Sequence, residues 1–103
     1  MNLLFICSRN KWRSPTAEAI FKKSTIHDTR SAGTSDSARI KVTASMIQWA
    51  DIIFVMEKRH KQLLQERFNI DKKIIVLDIP DEYQYMDEEL IGMLENGVAP
   101  YLN

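Results

Sequence analysis

The chain has 103 residues, 45% of them hydrophobic, with one cysteine and two histidines; that is enough for one domain, 1–103, to bury about two thirds of its unfolded surface without staples. A single cysteine excludes an internal disulfide and any multi-cysteine zinc site, and His27 and His60 are too far apart for a metal motif, so no metal or cofactor is expected. The 14 Lys and Arg balance 14 Asp and Glu, which excludes a generally basic nucleic-acid binder, yet residues 1–41 hold 8 basic and 3 acidic side chains and residues 71–103 hold 2 and 8.

Leu3 to Ile6 form a continuous apolar run, short enough for a strand and apolar enough to be buried on both faces. After the loop Cys7 to Arg13, Ser14 followed by Pro15 predicts a helix start, with Ser14 as N-cap, Pro15 at N1 and Glu18 favourable in the first turn. Thr29 to Gly33 reads as a weak strand, 34–41 as a loop, and Thr43 to Trp49 as a short helix. Ile52 to Val55 is a second buried strand, with Phe54 and Trp49 read as core. Glu57 to Phe68 is a helix with Leu63, Leu64 and Phe68 on one face. Ile74 to Leu77 forms another β-branched run, and Asp87 to Asn96 a last helix stopped by Gly97. The alternation predicts an α/β fold: a small parallel sheet of about four strands between helices, in three layers. The run Leu3 to Cys7 is too short for a signal segment or a membrane span. A cytoplasmic protein with no membrane partner is expected, in keeping with a lone reduced thiol.

In open α/β sheets ligands gather at the carboxyl ends of strands, beside helix N-termini. Cys7 stands at such an end. Cys7-Ser8-Arg9-Asn10-Lys11-Trp12-Arg13-Ser14-Pro15 sets three cationic side chains and a run of backbone N–H groups between a strand and a helix. That is a nest for an anion, with phosphate its natural guest. The same positive field favours the thiolate, and a thiolate beneath a bound phosphate is a nucleophile aimed at phosphorus. A free cysteine ending a core strand is ordinarily packing; what separates this one is Cys, five residues, Arg and Ser between a strand and a helix.

Leu4 to Phe21, LFICSRNKWRSPTAEAIF, resembles the active-site segment of the low-molecular-weight protein tyrosine phosphatases, whose signature is C-x5-R-[ST] followed by Pro and a helix. Ser31-Ala32-Gly33-Thr34 is similar to that family's second-strand end, and Ala50 to Met56 to its third strand. The resemblance implies a metal-independent phosphate monoester hydrolase acting on a phosphorylated substrate, with phosphate, sulfate or vanadate as site ligands. Cys7 would attack phosphorus and form a phosphocysteine, Arg13 would hold two equatorial oxygens, Ser14 would donate to the Cys7 sulfur and Asn10 would brace the loop. Ser8, Arg9, Lys11 and Trp12 would face the substrate, with a solvated basic rim as the alternative for Arg9 and Lys11. The family places its proton donor on a late loop beside an aromatic residue. Here Asp78-Ile79-Pro80-Asp81-Glu82-Tyr83 offers Asp81, with Tyr83 beside it, or Asp78.

Members of the family are longer, and the shortening falls mainly between Gly33 and Asp51, where part of the substrate wall is built. Trp12 stands where many relatives carry a second cysteine, so Cys7 cannot be trapped in an intramolecular disulfide. The other readings of the loop are a phosphate- or phosphopeptide-binding module without turnover, arsenate reduction with an external thiol, and nucleotide or nucleic-acid end processing with a base stacked on Trp12, which so small a basic cluster does not favour.

Overall fold

A computed structural model describes residues 1–23 and 26–102. Four parallel strands, β1 (Asn2–Cys7), β2 (Asp28–Gly33), β3 (Ile52–Val55) and β4 (Ile74–Val76), lie in the order β2-β1-β3-β4. Helices α1 (Arg13–Lys22), α2 (Ala44–Trp49), α3 (Lys58–Arg67) and α4 (Glu88–Val98) connect and cover them, and Ala99–Tyr101 adds a 3-10 turn. The most apolar run takes a central position because both of its faces are buried. Leu3, Phe5 and Cys7 point towards α1 and α4, in a cluster with Ala17, Phe21, Phe54, Leu90 and Leu94. Leu4 and Ile6 point the other way, among Ile53, Val55, Val42, Ile47 and Leu64 under α2 and α3. This is the three-layer arrangement the alternation predicts. Phe5 stacks between Phe21 and Phe54 with ring centroids 5.5 and 5.3 Å apart, so its truncation to alanine would cost about 3–5 kcal/mol.

Several boundaries differ from the sequence expectation, for local reasons. Helix α1 begins at Arg13, and Trp12 occupies the N-cap position without a side-chain cap bond. Ser14 is therefore inside the first turn, and its hydroxyl is spent on other partners. Thr43 does cap α2, accepting from the Met46 N–H. Gly97 does not stop α4, which runs through it to Val98. A Cβ there would lie 3.1 Å from Leu77 Cδ2, so this glycine serves close packing of the helix on the chain after β4. Trp49 is only half buried, with the Arg30 guanidinium 4.3 Å from its ring centre.

The carboxyl ends of the strands share one edge of the sheet, and there the loops after β1, β3 and β4 converge. Gly33, ending β2, permits a very close approach: a Cβ would fall 2.5 Å from the Ser8 carbonyl oxygen and 2.7 Å from Ala38 Cβ. Among the described residues no helix is long and apolar enough to cross a membrane.

Candidate active site

The loop after β1 is curled by bonds to its carbonyls. Those of Cys7, Ser8 and Arg9 accept from the N–H groups of Thr34, Ser35 and Arg39, that of Asn10 from Arg39 Nε, and that of Trp12 from Thr16. With every one of these oxygens turned outward, the N–H groups of residues 8–12 are left without a protein acceptor among the described residues. Asn10 makes the bend, at φ 55°, in the left-handed region that asparagine tolerates better than most residues. The result is a row of free donors at the N-terminus of α1, which favours an anion both by hydrogen bonding and by the helix dipole.

Beneath the loop lies a buried chain of hydrogen bonds whose direction can be deduced. Asn10 Nδ2 lies 2.9 Å from both Ser14 Oγ and Ser31 Oγ. Ser31 Oγ donates to a Glu18 carboxylate oxygen, and Ser14 Oγ lies 2.9 Å from Cys7 Sγ. Because a carboxylate only accepts, Ser31 gives its proton to Glu18 and takes one from Asn10. The second amide proton goes to Ser14, whose own O–H is thereby free to donate to the sulfur, with the Ala32 carbonyl at 3.4 Å as its alternative acceptor. Glu18, read from the sequence as a helix-end charge, is the anchor of this chain.

Arg13 is 2% exposed. Its Nη1 donates to Glu57 Oε2 at 2.5 Å and to the Ile79 carbonyl at 2.8 Å. Nη1 has two protons and both are used, which leaves the edge formed by Nε and Nη2 as a fork able to hold two oxygens of a tetrahedral anion. Asp81 Oδ1 stands 3.7 Å from Nε, at that same edge. Glu57 also accepts from Arg59. Burial works against its charge, but the bonds and charges of Arg59 and Arg13 outweigh that and hold its carboxyl at about 2.

Cys7, Arg9, Lys11, Trp12, Arg13 and Asp81 line one narrow cavity of about 50 Å³. It admits a small group and leaves any attached ring outside, beside Trp12. Lys11 Nζ sits 4.7 Å from the Trp12 ring centre and covers one face of it. Asn10 and Ser14 lie below the cavity. Ser8 turns aside, its hydroxyl 2.9 Å from His60 Nε2. Asp78, at φ 56°, faces a separate groove with Lys58, Arg59 and Pro80, and Tyr83 packs against the core with its hydroxyl 3.5 Å from Glu89. Of the two candidate acids, Asp81 alone is beside the thiol. Another cavity of about 280 Å³, between α2 and the end of α3, contains no comparable chemistry, since the Lys72 ammonium there is committed to the carbonyls of Ile47, Gln48 and Ala50.

Two residues that complete the site, Glu57 and His60, were not singled out by sequence reasoning. Both follow β3 at the shared sheet edge, and that position was the signal available. His60 is fully buried; its Nδ1 accepts from the Glu57 backbone N–H at 3.1 Å. Burial, reinforced by the charges of Arg13 and Arg59, lowers its pKa to about 4, so the ring is neutral near pH 7.

A parallel α/β sheet carrying a thiol beside a row of free N–H donors defines a cysteine-centred site suited to an anion. The comparisons agree with it. The family model described as low molecular weight phosphotyrosine protein phosphatase matches residues 2–49, from β1 through α2. Among solved structures, the low molecular weight protein tyrosine phosphatase SP-PTP from Streptococcus pyogenes is 18% identical, with a TM-score of 0.79, covering 99% of this chain and 93% of that one. The tyrosine phosphatase Wzb from Escherichia coli K30 in complex with phosphate is 21% identical, at TM-score 0.75 and coverage of 97% and 94%. The YwlE arginine phosphatase from Geobacillus stearothermophilus is 21% identical, at TM-score 0.73 and coverage of 92% and 84%. No curated protein matches the chain by sequence at a significant level. The chain is thus similar to the low-molecular-weight protein tyrosine phosphatases, in sequence over residues 2–49 and in fold over nearly its whole length.

Proposed function

We propose that this chain is a metal-independent phosphate monoester hydrolase that works through a phosphocysteine on Cys7. The observation that carries the reading is the coincidence, in one cavity, of the Cys7 thiol, an unspent Arg13 edge and the Asp81 carboxyl. The phosphoryl oxygens would replace Asp81 on the Nε and Nη2 edge of Arg13 and take the N–H groups of residues 8–12. The thiolate forms the S–P bond as the P–O bond to the leaving group breaks, and Asp81 gives its proton to the departing oxygen. In the second half Asp81 takes a proton from water, the water oxygen attacks phosphorus, and the S–P bond breaks to release phosphate and the thiolate. The Ser14 hydroxyl stabilises sulfur both as nucleophile and as leaving group.

The relatives named above include tyrosine phosphatases and an arginine phosphatase. The mouth of this site favours the first chemistry. Arg9 and Lys11 line the cavity and are exposed, and they would repel a cationic leaving group, whereas a neutral phenol ring can rest beside Trp12. We therefore assign an aryl phosphate, such as phosphotyrosine in a protein, as the substrate class, and the cytoplasm as the working compartment, where the lone thiol stays reduced. The test is hydrolysis of 4-nitrophenyl phosphate in the presence of a chelator. Turnover abolished by Cys7→Ser and inhibited by vanadate is expected; tight phosphate binding by the wild-type chain without turnover would identify a binding module instead.

A further inference from the structure

The fully buried His60 ring has a bonded partner on each nitrogen, and the two partners belong to different parts of the site. Nδ1 accepts from the Glu57 N–H, so in the neutral ring the proton is on Nε2, which donates to Ser8 Oγ. Ser8 is the residue next to the nucleophile, and Glu57 is the carboxylate that holds Arg13 Nη1. We infer that His60 is a positioning residue for the reaction: its Nε2–H to Ser8 bond sets the anion loop in register with the Glu57–Arg13 pair. It touches no reacting atom.

Cys7 and Arg13 are on the same short loop and helix start, but the usable edge of Arg13 is fixed from outside, by Glu57 at the start of α3 and by Ile79 after β4. The outer carbonyls of the loop are held by the segment after β2. Of the side-chain bonds among the described residues, His60 to Ser8 is the one that joins the nucleophile's neighbour to the α3 start. The Ser8 hydroxyl has no other protein partner among them. Without this bond the free N–H groups and the Arg13 fork are positioned by separate supports. The transition state needs both sets of donors on one trigonal-bipyramidal group, so it should suffer more than ground-state binding.

The inference rests on the hydrolase reading, and the test keeps the two apart. An asparagine at 60 can keep the acceptor for the Glu57 N–H but falls short of Ser8. A glutamine can place an amide N–H near the Nε2 position. The readouts are kcat for 4-nitrophenyl phosphate and the affinities for vanadate, which mimics the transition state, and for inorganic phosphate, which mimics the product. His60→Asn and Ser8→Ala should each lower kcat and weaken vanadate about tenfold, with phosphate changed by less than about threefold, as the loss of one buried hydrogen bond implies. His60→Gln should recover most of the loss, and the His60→Asn, Ser8→Ala double variant should be no worse than Ser8→Ala. Vanadate affinity and kcat unchanged in folded His60→Asn, or losses that multiply in the double variant, would overturn the inference. If the wild-type chain shows no turnover, the hydrolase reading fails alone, because the vanadate-to-phosphate ratio still decides the role of His60.

Discussion

His60 makes stability depend on pH between about 4 and 6.5. Unfolded, a histidine takes its proton near 6.5; here, burial first and then the charges of Arg13 and Arg59 delay that to about 4. The folded pKa lies below the unfolded one, and the neutral form is the one the fold prefers. The stability is therefore full above pH 6.5 and is lost as the pH falls towards 4, because the unfolded chain binds the proton first. Integrating that difference gives a loss of about 2 kcal/mol between about pH 7 and pH 5. Glu57 joins only lower down: its carboxyl, held at about 2 against an ordinary 4.5, adds stability above 4.5 that disappears between 4.5 and 2. The assay is urea unfolding of the wild-type chain and of His60→Gln at about pH 7 and pH 5, with His27 common to both. The wild type should lose about 2 kcal/mol more than the variant over that interval. Parallel losses would refute the reasoning, since they would mean that His60 titrates alike in the folded and unfolded chains.

Asp81→Asn should lower kcat for phenyl phosphate about 100-fold or more, and less for 4-nitrophenyl phosphate, whose leaving group needs the proton less. Asp78→Asn, which keeps a residue able to adopt the left-handed backbone, should stay within about twofold, and equal losses in the two variants would reject Asp81 as the acid. Glu57→Gln leaves the buried Arg13 charge without its carboxylate, so kcat/KM should fall about tenfold or more and a lower thermal midpoint should accompany it; wild-type kcat/KM would show that Ile79 alone orients the guanidinium. Asn10→Ala removes both donors of the buried amide and forces alanine to φ near 55°, for a combined loss of about 3 kcal/mol in denaturant unfolding, and a loss under about 1 kcal/mol would contradict the deduced hydrogen-bond chain.

How much of this was legible in the sequence follows from distance along the chain. Cys7, Asn10, Arg13 and Ser14 fall within eight residues between a strand and a helix, so their convergence is a local event that spacing can display. The apolar runs at Leu3 and Ile52 told correctly which strands are buried on both faces. Boundaries failed where a side chain had two possible uses. Ser14 reads as a cap because serine usually is one, yet a hydroxyl 2.9 Å from a thiol is taken by the sulfur and by Asn10. Gly97 reads as a stop because glycine usually ends helices, yet here it is a contact with Leu77. Glu57 and His60 bond to Arg13 and Ser8 across 44 and 52 residues, and a single sequence shows no trace of such pairing. Their location was legible even so: in a parallel sheet every strand delivers its following residues to the same edge, so residues just after β3 and β4 are neighbours of the first loop by topology.

The opposed charges of the two ends of the chain meet on one side chain. Arg13, from the basic first segment, is gripped on Nη1 by Glu57 and Ile79 and approached on Nε by Asp81, from the acidic last segment. The two edges of the guanidinium thus do different work. One is committed to the fold and locks the late loop over the site, while the other is held only by a longer, exposed contact that an incoming anion can replace. A lysine could not divide itself this way, because its donors radiate from a single nitrogen and cannot present two parallel N–H bonds while another pair is fixed. The need for a planar, five-donor cation at this position follows from the structural and the catalytic demand together, and it explains why a group so costly to bury is nevertheless placed at 2% exposure.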